Sequence, residues 1–424
     1  MLKIGQRFKV KIEDTNIFAN GICRLDNMVV FVKGAITGEE CEIEITDVYP
    51  KYAFATCKSV LAPSIHRVEP SCPYADNCGG CTFSHLTCEF ENEIKEGYVK
   101  SAFAKQHLDV EVEKIVSPVS VNYRNKVVLF YNGISFGYMS QGTNTVIPHE
   151  RCLLNSPLFD EIASFTAKEL KGTPLRALFI RKSYDEKEIM VCPIFFEKTN
   201  IISYASKLVY RFPNVKAVLY GVSKEKSFAL EKVKMSNVYG DGYINDTLCG
   251  IDFRISPDSF YQVNHTCTEL LYEKAIELAD LNKDSVCADL FCGTGTIGII
   301  AAKRTGATVY GVEIVESAVK DARHNAKANS IRNAHFEAMD ASKFNKQVDT
   351  CIIDPPRKGC SPFMIETLKR INPQKIVYVS CNTDTMTRDI KALSENYKIS
   401  TPVSVFNLFP RTSHVESVVC LTRK

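Results

Sequence analysis

The sequence lacks any stretch long and apolar enough to cross a membrane. A membrane helix needs roughly 18 or more consecutive apolar residues, and no segment of the 424 residues meets that requirement. The first residues, from Met1 to Arg7, become charged too soon to supply the apolar core of a signal peptide. These absences predict a cytoplasmic protein with no membrane partner.

The chain also lacks a large net charge and any internal repeat or low-complexity segment. Its 52 Lys and Arg residues nearly balance 49 Asp and Glu residues, which leaves a formal net charge of +3. This balance permits a nucleic-acid partner without arguing for one, because a local basic patch matters more than the total. A chain of 424 residues is too long for one ordinary core, so we expect two or three domains.

Cysteine, in contrast, is abundant. The sequence holds 17 cysteines, and the cytosol keeps thiols reduced, so a disulfide framework is not expected. Metal ligation, catalysis and plain burial remain as three readings of these residues.

Residues 1–60 show the alternating pattern of short β-strands. Phe8, Val10 and Ile12 share one face of a first strand, and turn signals at Asp26–Asn27 and Thr37–Gly38 separate it from later strands. Several short strands in so few residues predict a small barrel of the OB type, a fold that often binds nucleic acid.

A C-x5-C-x2-C cluster follows, formed by Cys72, Cys78 and Cys81. Three thiolates this close suit zinc or an iron–sulfur cluster. A fourth ligand is needed, and the residues alone leave two candidates: Cys88 nearby and Cys152 far along the chain.

The region 61–250 reads as a middle α+β domain. Apolar residues at intervals of four predict an amphipathic helix over 89–105, and we expect this helix to pack on the domain at 251–424. Strand-like and helical segments then alternate, with a strand at 126–131 and a helix around 159–170. Basic residues near aromatics at 123–126 and 181–184 have two readings, an RNA contact or a solvated face.

From residue 251 to 424 strands and helices alternate, which predicts a doubly wound parallel sheet. Five predicted strands end one after another in chain order, and ligands in such folds bind at the carboxyl edge of the strands. The residues at or just after these ends are Phe291, Glu313, Asp340, Asp354 and Cys381.

The first of these strands runs into Gly293, Gly295 and Gly298, a G-x-G-x-x-G turn with Glu313 twenty residues after its first glycine. Such a turn lets the backbone approach a cofactor closely, and the acidic residue holds ribose hydroxyls. A dinucleotide and S-adenosylmethionine both fit the fingerprint.

Asp354-Pro355-Pro356-Arg357 closes the fourth strand with a rigid turn, because proline cannot continue a ladder. The turn presents a carboxylate and an arginine toward a planar substrate, one strand before Cys381. Hydride transfer has no evident need of this arrangement, whereas methyl transfer to a base does.

Four segments together resemble the RNA (uracil-5-)-methyltransferase family: 289–298, 354–359, 379–382 and 409–418. The segment 256–264 resembles the opening of that family's catalytic domain, residues 1–60 its TRAM domain, and the cysteine cluster the iron–sulfur site of its ribosomal RNA members. Within the family, Asp-Pro-Pro-Arg-Lys-Gly most resembles the 23S ribosomal RNA enzymes of Gram-positive-type bacteria.

The resemblance implies a Rossmann-like S-adenosylmethionine methyltransferase domain that methylates carbon 5 of uridine in 23S ribosomal RNA. Cys381 would add to carbon 6 of the base, and Glu416 would remove the carbon-5 proton. Gln262, Phe291, Glu313, Asp340 and Asp354 would bind the cofactor. The ligands of a 4Fe-4S cluster would be Cys72, Cys78, Cys81 and, by resemblance, Cys152.

Two other functions compete with this one. The first is the same reaction on transfer RNA. The second, a dinucleotide-dependent oxidoreductase, accounts for the glycine turn and Glu313 but leaves Cys381 and Glu416 unexplained. The reading calls for no obligate protein partner, and we expect a monomer.

Overall fold

The computed structural model describes residues 2–140, 142–225 and 228–424. Within these ranges the chain forms an amino-terminal sheet, a middle sheet, a hairpin and a carboxyl-terminal sheet. No helix in the described ranges has the length and hydropathy of a membrane span.

The amino-terminal sheet has six strands in the order β1-β5-β6-β4-β3-β2 and forms an open half-barrel. Its alternating residues Cys41, Ile43 and Ile45 are buried in the barrel core, as their spacing predicts. Asp26 and Asn27 both have positive φ, so the predicted turn is the tight link of the β3–β4 hairpin. The strands are β1 Arg7–Lys11, β2 Asp14–Thr15, β3 Asn20–Leu25, β4 Met28–Lys33, β5 Glu40–Val48 and β6 Tyr52–Ala62.

The middle region combines a seven-stranded mixed sheet with helices, which confirms the α+β prediction. The predicted strand at 126–131 forms with those bounds, and the two predicted helices differ from the observed ones by one or two residues. The elements are α1 Cys88–Lys105, β7 Lys126–Tyr131, β8 Phe136–Met139, β9 Val146–Pro148, α2 Pro157–Glu169, β10 Leu175–Lys182, β11 Ile189–Phe195, α3 Ile202–Arg211, β12 Val215–Val222, a 3-10 turn Leu230–Lys232 and β13 Lys234–Tyr239.

A hairpin and an eight-stranded sheet complete the chain. The expected domain boundary at 250/251 falls within this hairpin, where its turn meets the second strand. The order of the sheet is β18-β17-β16-β19-β20-β23-β21, with β22 beside β23. The elements are β14 Ile244–Leu248, β15 Ile251–Ile255, α4 His265–Ala279, β16 Val286–Leu290, α5 Thr296–Thr305, β17 Thr308–Glu313, α6 Glu316–Ala328, β18 Ala334–Ala338, a 3-10 turn Ala341–Lys343, β19 Thr350–Ile353, α7 Pro362–Ile371, β20 Lys375–Ser380, α8 Thr383–Leu393, β21 Tyr397–Ile399, β22 Ser404–Phe406 and β23 Glu416–Arg423.

Helix α1 packs on the carboxyl-terminal sheet domain, although it precedes the middle sheet in the chain. Val99 and Phe103 of the helix belong to the apolar core of that domain, and the Tyr98 hydroxyl donates to Oδ2 of Asp384 in α8 over 2.8 Å. The predicted apolar stripe is also buried, but its residues Phe90 and Ile94 pack in a separate cluster with Ile17, Ala19 and Ile36 of the amino-terminal region. Thr87 caps the helix by accepting the N–H of Phe90. The helix therefore contacts both the amino-terminal region and the domain that carries the strand-end residues.

The basic segment at 181–184 corrects the sequence interpretation. Arg181 is only 1% exposed, and its guanidinium donates to the carbonyl oxygens of Ser256 and Ser259 over 2.8 and 2.9 Å. Lys182 is buried as well. Neither an RNA contact nor a solvated face describes Arg181, because its two terminal nitrogens hold the loop that leads into α4.

Candidate active site

Six predicted site residues lie in a row along one edge of the carboxyl-terminal sheet. The strand order places the ends of β18, β17, β16, β19 and β20 side by side, followed by the start of antiparallel β23. Adjacent strands are about 4.8 Å apart, so the residue at each strand end lies near the residues at the ends of the neighbouring strands. In spatial order the row is Asp340, Glu313, Phe291, Asp354, Cys381 and Glu416.

Cys381 and Glu416 face each other at the ends of two paired strands. The last paired residues of β20 and β23 are Ser380 and Ser417, and one further step of the same register places Cys381 opposite Glu416. Residues directly opposite in an antiparallel pair have Cβ atoms about 5 Å apart. The antiparallel pairing of β23 with β20 thus brings the Cys381 thiol near the Glu416 carboxyl.

The Cys381 thiol lies in an environment that opposes ionisation. Burial raises its pKa to about 12, with smaller contributions from the carboxyls of Glu416 and Asp354, while Arg357 opposes the shift. The sulfur precedes the amino terminus of α8, whose positive end favours a thiolate. In the free protein the thiol form prevails at neutral pH.

Glu416 is 3% exposed and is also held neutral. Burial raises the pKa of its carboxyl well above the ordinary value, Asp354 raises it further, and Arg357 opposes both. Burial likewise raises the pKa of Asp354 to about 7. These neighbouring carboxyls cannot all ionise together without a nearby cation, since like charges in a dry site repel strongly.

Arg357 and His414 form a fixed pair beside these groups. Nη2 of Arg357 lies 2.9 Å from Nδ1 of His414, and a guanidinium can only donate, so Nδ1 accepts and the imidazole proton is on Nε2. Burial lowers the pKa of His414 to about 4, with Arg357 adding to the effect. The Arg357 carbonyl accepts from Nδ2 of Asn382 over 3.0 Å, which ties the Asp354 turn to α8.

Next to this group is a narrow pocket built around the glycine turn. Phe291 and Asp354 line it together with Phe260, Tyr261 and Gly293. Asp289 lies at its base, where the carboxylate accepts the N–H of Gly298 over 2.8 Å. Burial raises the pKa of Asp289 to about 7, and Asp354 and Glu313 contribute.

The other three predicted cofactor residues differ in position. Glu313 accepts the backbone N–H groups of Gly293 and Val315 over 3.2 and 2.9 Å, at the rim of the pocket. Gln262 is buried next to Tyr261 in the chain, and its carbonyl accepts from Nδ2 of Asn125 over 2.8 Å. Asp340 is exposed and accepts from the N–H and hydroxyl of Ser342, outside the residues that line the pocket.

Three neighbouring cysteines and a fourth that lies far along the chain share one cavity. A space of about 180 Å³ is lined by Cys72, Cys78, Cys81 and Cys152, with Arg411 at its wall. Burial raises the pKa of Cys81 to about 12, and the nearby thiols of Cys152 and Cys78 contribute. Cys88 lies elsewhere, with its sulfur accepting from Nη2 of Arg411 over 3.0 Å.

Across the described ranges, no group of three or more His, Cys, Asp or Glu side chains is arranged to hold a single metal ion. Four thiols that line one cavity are a donor set suited to zinc or an iron–sulfur cluster, and two arginines, Arg124 and Arg411, line the same cavity.

Sequence reasoning missed several residues of this region. Asp289 and His414 lie inside the motifs that carry the resemblance, so their positions carried a signal but their roles did not. Lys95 carried none: it is fully buried in α1 and donates to Oδ1 of Asn407 over 2.7 Å, a contact across 312 residues of chain.

Comparison with known proteins agrees with this geometry. Residues 281–413 match the family "Methyltransferase domain", and residues 2–58 match the family "TRAM domain". An uncharacterised RNA methyltransferase of Caldanaerobacter subterraneus is 32% identical over 100% of this chain and 99% of its own. One from Bacillus cereus is 33% identical over 98% of this chain and 96% of its own.

Among solved structures, a tRNA (uracil-54, C5)-methyltransferase of Pyrococcus abyssi in complex with S-adenosyl-L-homocysteine has the same overall fold. The two chains are 26% identical, the TM-score is 0.81, and the match covers 98% of this chain and 100% of the other. The methyltransferase matches decide between the two cofactor classes that the glycine turn left open.

Proposed function

The chain belongs to the RNA methyltransferase family, and on that premise we propose that it uses S-adenosylmethionine to methylate carbon 5 of uridine in RNA through a covalent adduct with Cys381. One observation carries the proposal: the register of β20 and β23 places Cys381 opposite Glu416, beside the Asp354 turn and the glycine-turn pocket.

The chemistry needs a nucleophile because carbon 5 of uracil is too weak a nucleophile by itself. The Cys381 thiol would lose its proton to solvent and add through its sulfur to carbon 6, which would move the electrons of the 5,6 double bond toward carbon 5 and the O4 enolate. Carbon 5 would then take the methyl group of S-adenosylmethionine, whose sulfur–methyl bond would break to release S-adenosylhomocysteine. Glu416 removes the carbon-5 proton, after which the carbon–sulfur bond breaks and the thiolate leaves. Cysteine suits both steps, since it attacks readily and leaves readily.

The raised pKa values fit an ordered reaction. S-adenosylmethionine would supply an electrophilic methyl group and a positive charge, and Asp289 and Asp354 are among the pocket residues that would hold it. A cation there lowers the pKa of the neighbouring carboxyls and favours the ionised form of Glu416. The neutral Nε2–H of His414 is a donor for a carbonyl oxygen of the base, as a low-pKa imidazole is suited to polarise a carbonyl without losing its proton.

Two substitutions test the covalent mechanism. Cys381→Ala is expected to form no adduct with labelled RNA on a denaturing gel, whereas Glu416→Gln, which keeps the side-chain shape, is expected to accumulate the methylated adduct. Lys100→Met, an exposed change on α1, serves as the control and should turn over normally. If Glu416→Gln forms no adduct under conditions in which the unmodified protein methylates RNA, Glu416 is not the base.

The proposed substrate is 23S ribosomal RNA, supported by the resemblance of the 354–359 motif. Transfer RNA is the second candidate, favoured by the named substrate of the Pyrococcus abyssi enzyme. A target uridine inside a stem is out of reach, so it lies in a loop or is flipped out. Mapping 5-methyluridine in ribosomal and transfer RNA from cells with and without this protein distinguishes the two.

We further propose that Cys72, Cys78, Cys81 and Cys152 hold a 4Fe-4S cluster. The shared cavity and the two arginines that line it support this assignment, because a thiolate-ligated cluster carries negative charge. The methyl transfer described above moves no electrons, so these cysteines position their surroundings rather than react.

A further inference from the structure

Four aromatic rings form a continuous patch on the outer surface of the half-barrel. We define the aromatic face as Phe31, Tyr49, Tyr52 and Phe54. The register pairs Phe31 of β4 with Phe54 of β6, and their ring centroids are 5.6 Å apart. Tyr49, in the turn before β6, stacks on Tyr52 at 4.9 Å, and Tyr52 meets Phe54 edge-on at 5.7 Å.

These rings are not part of the barrel core. Successive side chains of a strand point to opposite faces, and the intervening residues Val30, Val32, Ala53 and Ala55 are the ones that fill the core. Tyr49, Tyr52 and Phe54 are 44%, 38% and 37% exposed, so no described element covers them. Single exposed apolar residues are common, but a contiguous patch marks a binding surface.

The charges around the aromatic face favour a nucleic acid as its occupant. The side chain of Lys33, two residues beyond Phe31 and on the same face of β4, has no hydrogen bond or ion pair within the described ranges, and the same holds for the side chain of Lys51 in the turn beside Tyr52. Two carboxylates of β5 lie nearby: Asp47 is opposite Phe54, and Glu44 is opposite Thr56, where it is ion-paired with Arg7 and Lys58. Exposed rings with free cations at their margin suit stacked bases and their phosphates.

The aromatic face is also connected to the candidate active site. A cleft of about 910 Å³ is lined by Phe18 and Lys33 of the half-barrel and by Ser413, among other residues. Ser413 precedes His414, and Lys33 is on the same face of β4 as Phe31. The cleft therefore borders both the half-barrel surface beside the rings and the segment that carries His414.

We propose that the aromatic face is a stacking platform for unpaired bases of the substrate RNA, next to the segment that holds the target uridine. The inference rests on the proposed RNA substrate and adds to it: the substrate has a single-stranded flank that is bound by its bases. A half-barrel that held RNA only through its phosphates would not need four exposed rings.

The experiment measures binding of the full-length protein to a 12-nucleotide single-stranded adenosine-rich RNA that carries 2-aminopurine, without cofactor. The double variant Tyr52→Ala/Phe54→Ala should lose about tenfold or more in affinity, and 2-aminopurine quenching should disappear, because base stacking on an aromatic ring contributes strongly to single-strand binding. Tyr52→Phe/Phe54→Tyr keeps both rings and should bind as the unmodified protein does. Tyr210→Ala, at a tyrosine 91% exposed on α3, is the matched control and should change nothing.

Two results would overturn the proposal. One is a double alanine variant that melts normally and binds the single strand with unchanged affinity. The other is sedimentation of the unmodified protein as a dimer that the double alanine variant converts to a monomer, which would make the face a contact between copies. Since binding is read without methyl transfer, loss of binding in the double variant supports the platform even where no 5-methyluridine is formed.

Discussion

At the scale of single residues, the site is dominated by acids that are kept neutral. Asp289, Asp354 and Glu416 all have raised pKa values, and burial is the largest cause for each. Burial of such acids lowers the stability of the free protein. It also makes their ionisation sensitive to a charge that binds nearby, which is typical of functional sites. Substitution of Asp354 should have the largest effect on the site. Asp354 lines the pocket, and its carboxyl raises the pKa of both Cys381 and Glu416.

Asp354→Asn is expected to stabilise the free protein at high pH while abolishing methyl transfer. The pKa of Asp354 is raised from 3.8 to about 7, so the folded state binds more protons than the unfolded state between about pH 4 and 7. Stability contributed by the neutral acid is therefore present at low pH and lost as the pH rises toward 7. The variant removes this loss, so its apparent melting temperature should exceed that of the unmodified protein by several degrees at pH 8 and by less at pH 5.

Asp340→Asn provides the control with the opposite sign. Hydrogen bonds from Ser342 lower the pKa of Asp340, so the charged form is the stabilising one and the variant should gain nothing at pH 8. An Asp354→Asn protein whose melting temperature relative to the unmodified chain is the same at pH 5 and pH 8 would contradict the burial of an ionisable carboxyl.

At the scale of elements, α1 fixes the loop that leads to Glu416. Nζ of Lys95 donates to Oε1 of Glu91 over 2.9 Å, to Oδ1 of Asn407 over 2.7 Å and to the carbonyl of Phe409 over 3.2 Å. Burial lowers the pKa of Lys95, and Glu91 opposes this effect. The ammonium thus joins a helix of the first hundred residues to the segment between β22 and β23.

Lys95→Met should lower the free energy of unfolding by about 1–3 kcal/mol. It removes three hydrogen bonds of a buried ammonium and leaves Arg411, 3.7 Å away, as the remaining cation beside Glu91. The single-turnover rate with saturating RNA and cofactor should also fall, because the 407–414 segment loses an anchor. Adding Glu91→Gln neutralises the carboxylate that has lost its nearer partner but keeps Oε1 as an acceptor for the backbone N–H of Arg411, so the double variant should recover part of the stability. Lys100→Met on the same helix should have no effect, and equal melting temperatures for the two single variants would contradict the anchoring role.

The elements also show why sequence reasoning succeeded in part. Alternating strands and helices imply parallel neighbours, and this alone brought Glu313, Phe291, Asp354 and Cys381 to one edge. Two features had no local trace: the antiparallel position of β23 between β20 and β21, and the buried basic side chains of Lys95 and Arg181. Their partners lie far away in the chain, and a charged residue in sequence looks the same whether it faces solvent or a carbonyl oxygen.

At the scale of the whole molecule, the cysteine cavity is where three parts of the chain meet. The loop at 72–81 joins the end of β8 through the N–H of Gly79 and the carbonyl of Met139, and Arg411 extends from the cavity wall to the carbonyl oxygens of Phe83 and Leu86. Arg411 is three residues from His414. A group bound by the four cysteines would therefore connect the segment after the half-barrel to both the middle sheet and the 407–414 segment.

This arrangement gives opposite expectations for two cysteines. Cys152→Ser should remove iron, sulfide and the associated visible absorbance from anaerobically purified protein, and it should expose the 61–87 segment to limited proteolysis, since the link between the half-barrel and the rest is lost. Cys88→Ser should keep the iron and the protection, because Cys88 contacts Arg411 rather than the cavity. Retention of iron by Cys152→Ser with its loss from Cys88→Ser would assign the fourth ligand to Cys88, and stoichiometric zinc in the unmodified protein would refute the cluster. Only a fold that brings residue 152 to residues 72–81 predicts the first pattern, so the assay tests the architecture together with the ligand set.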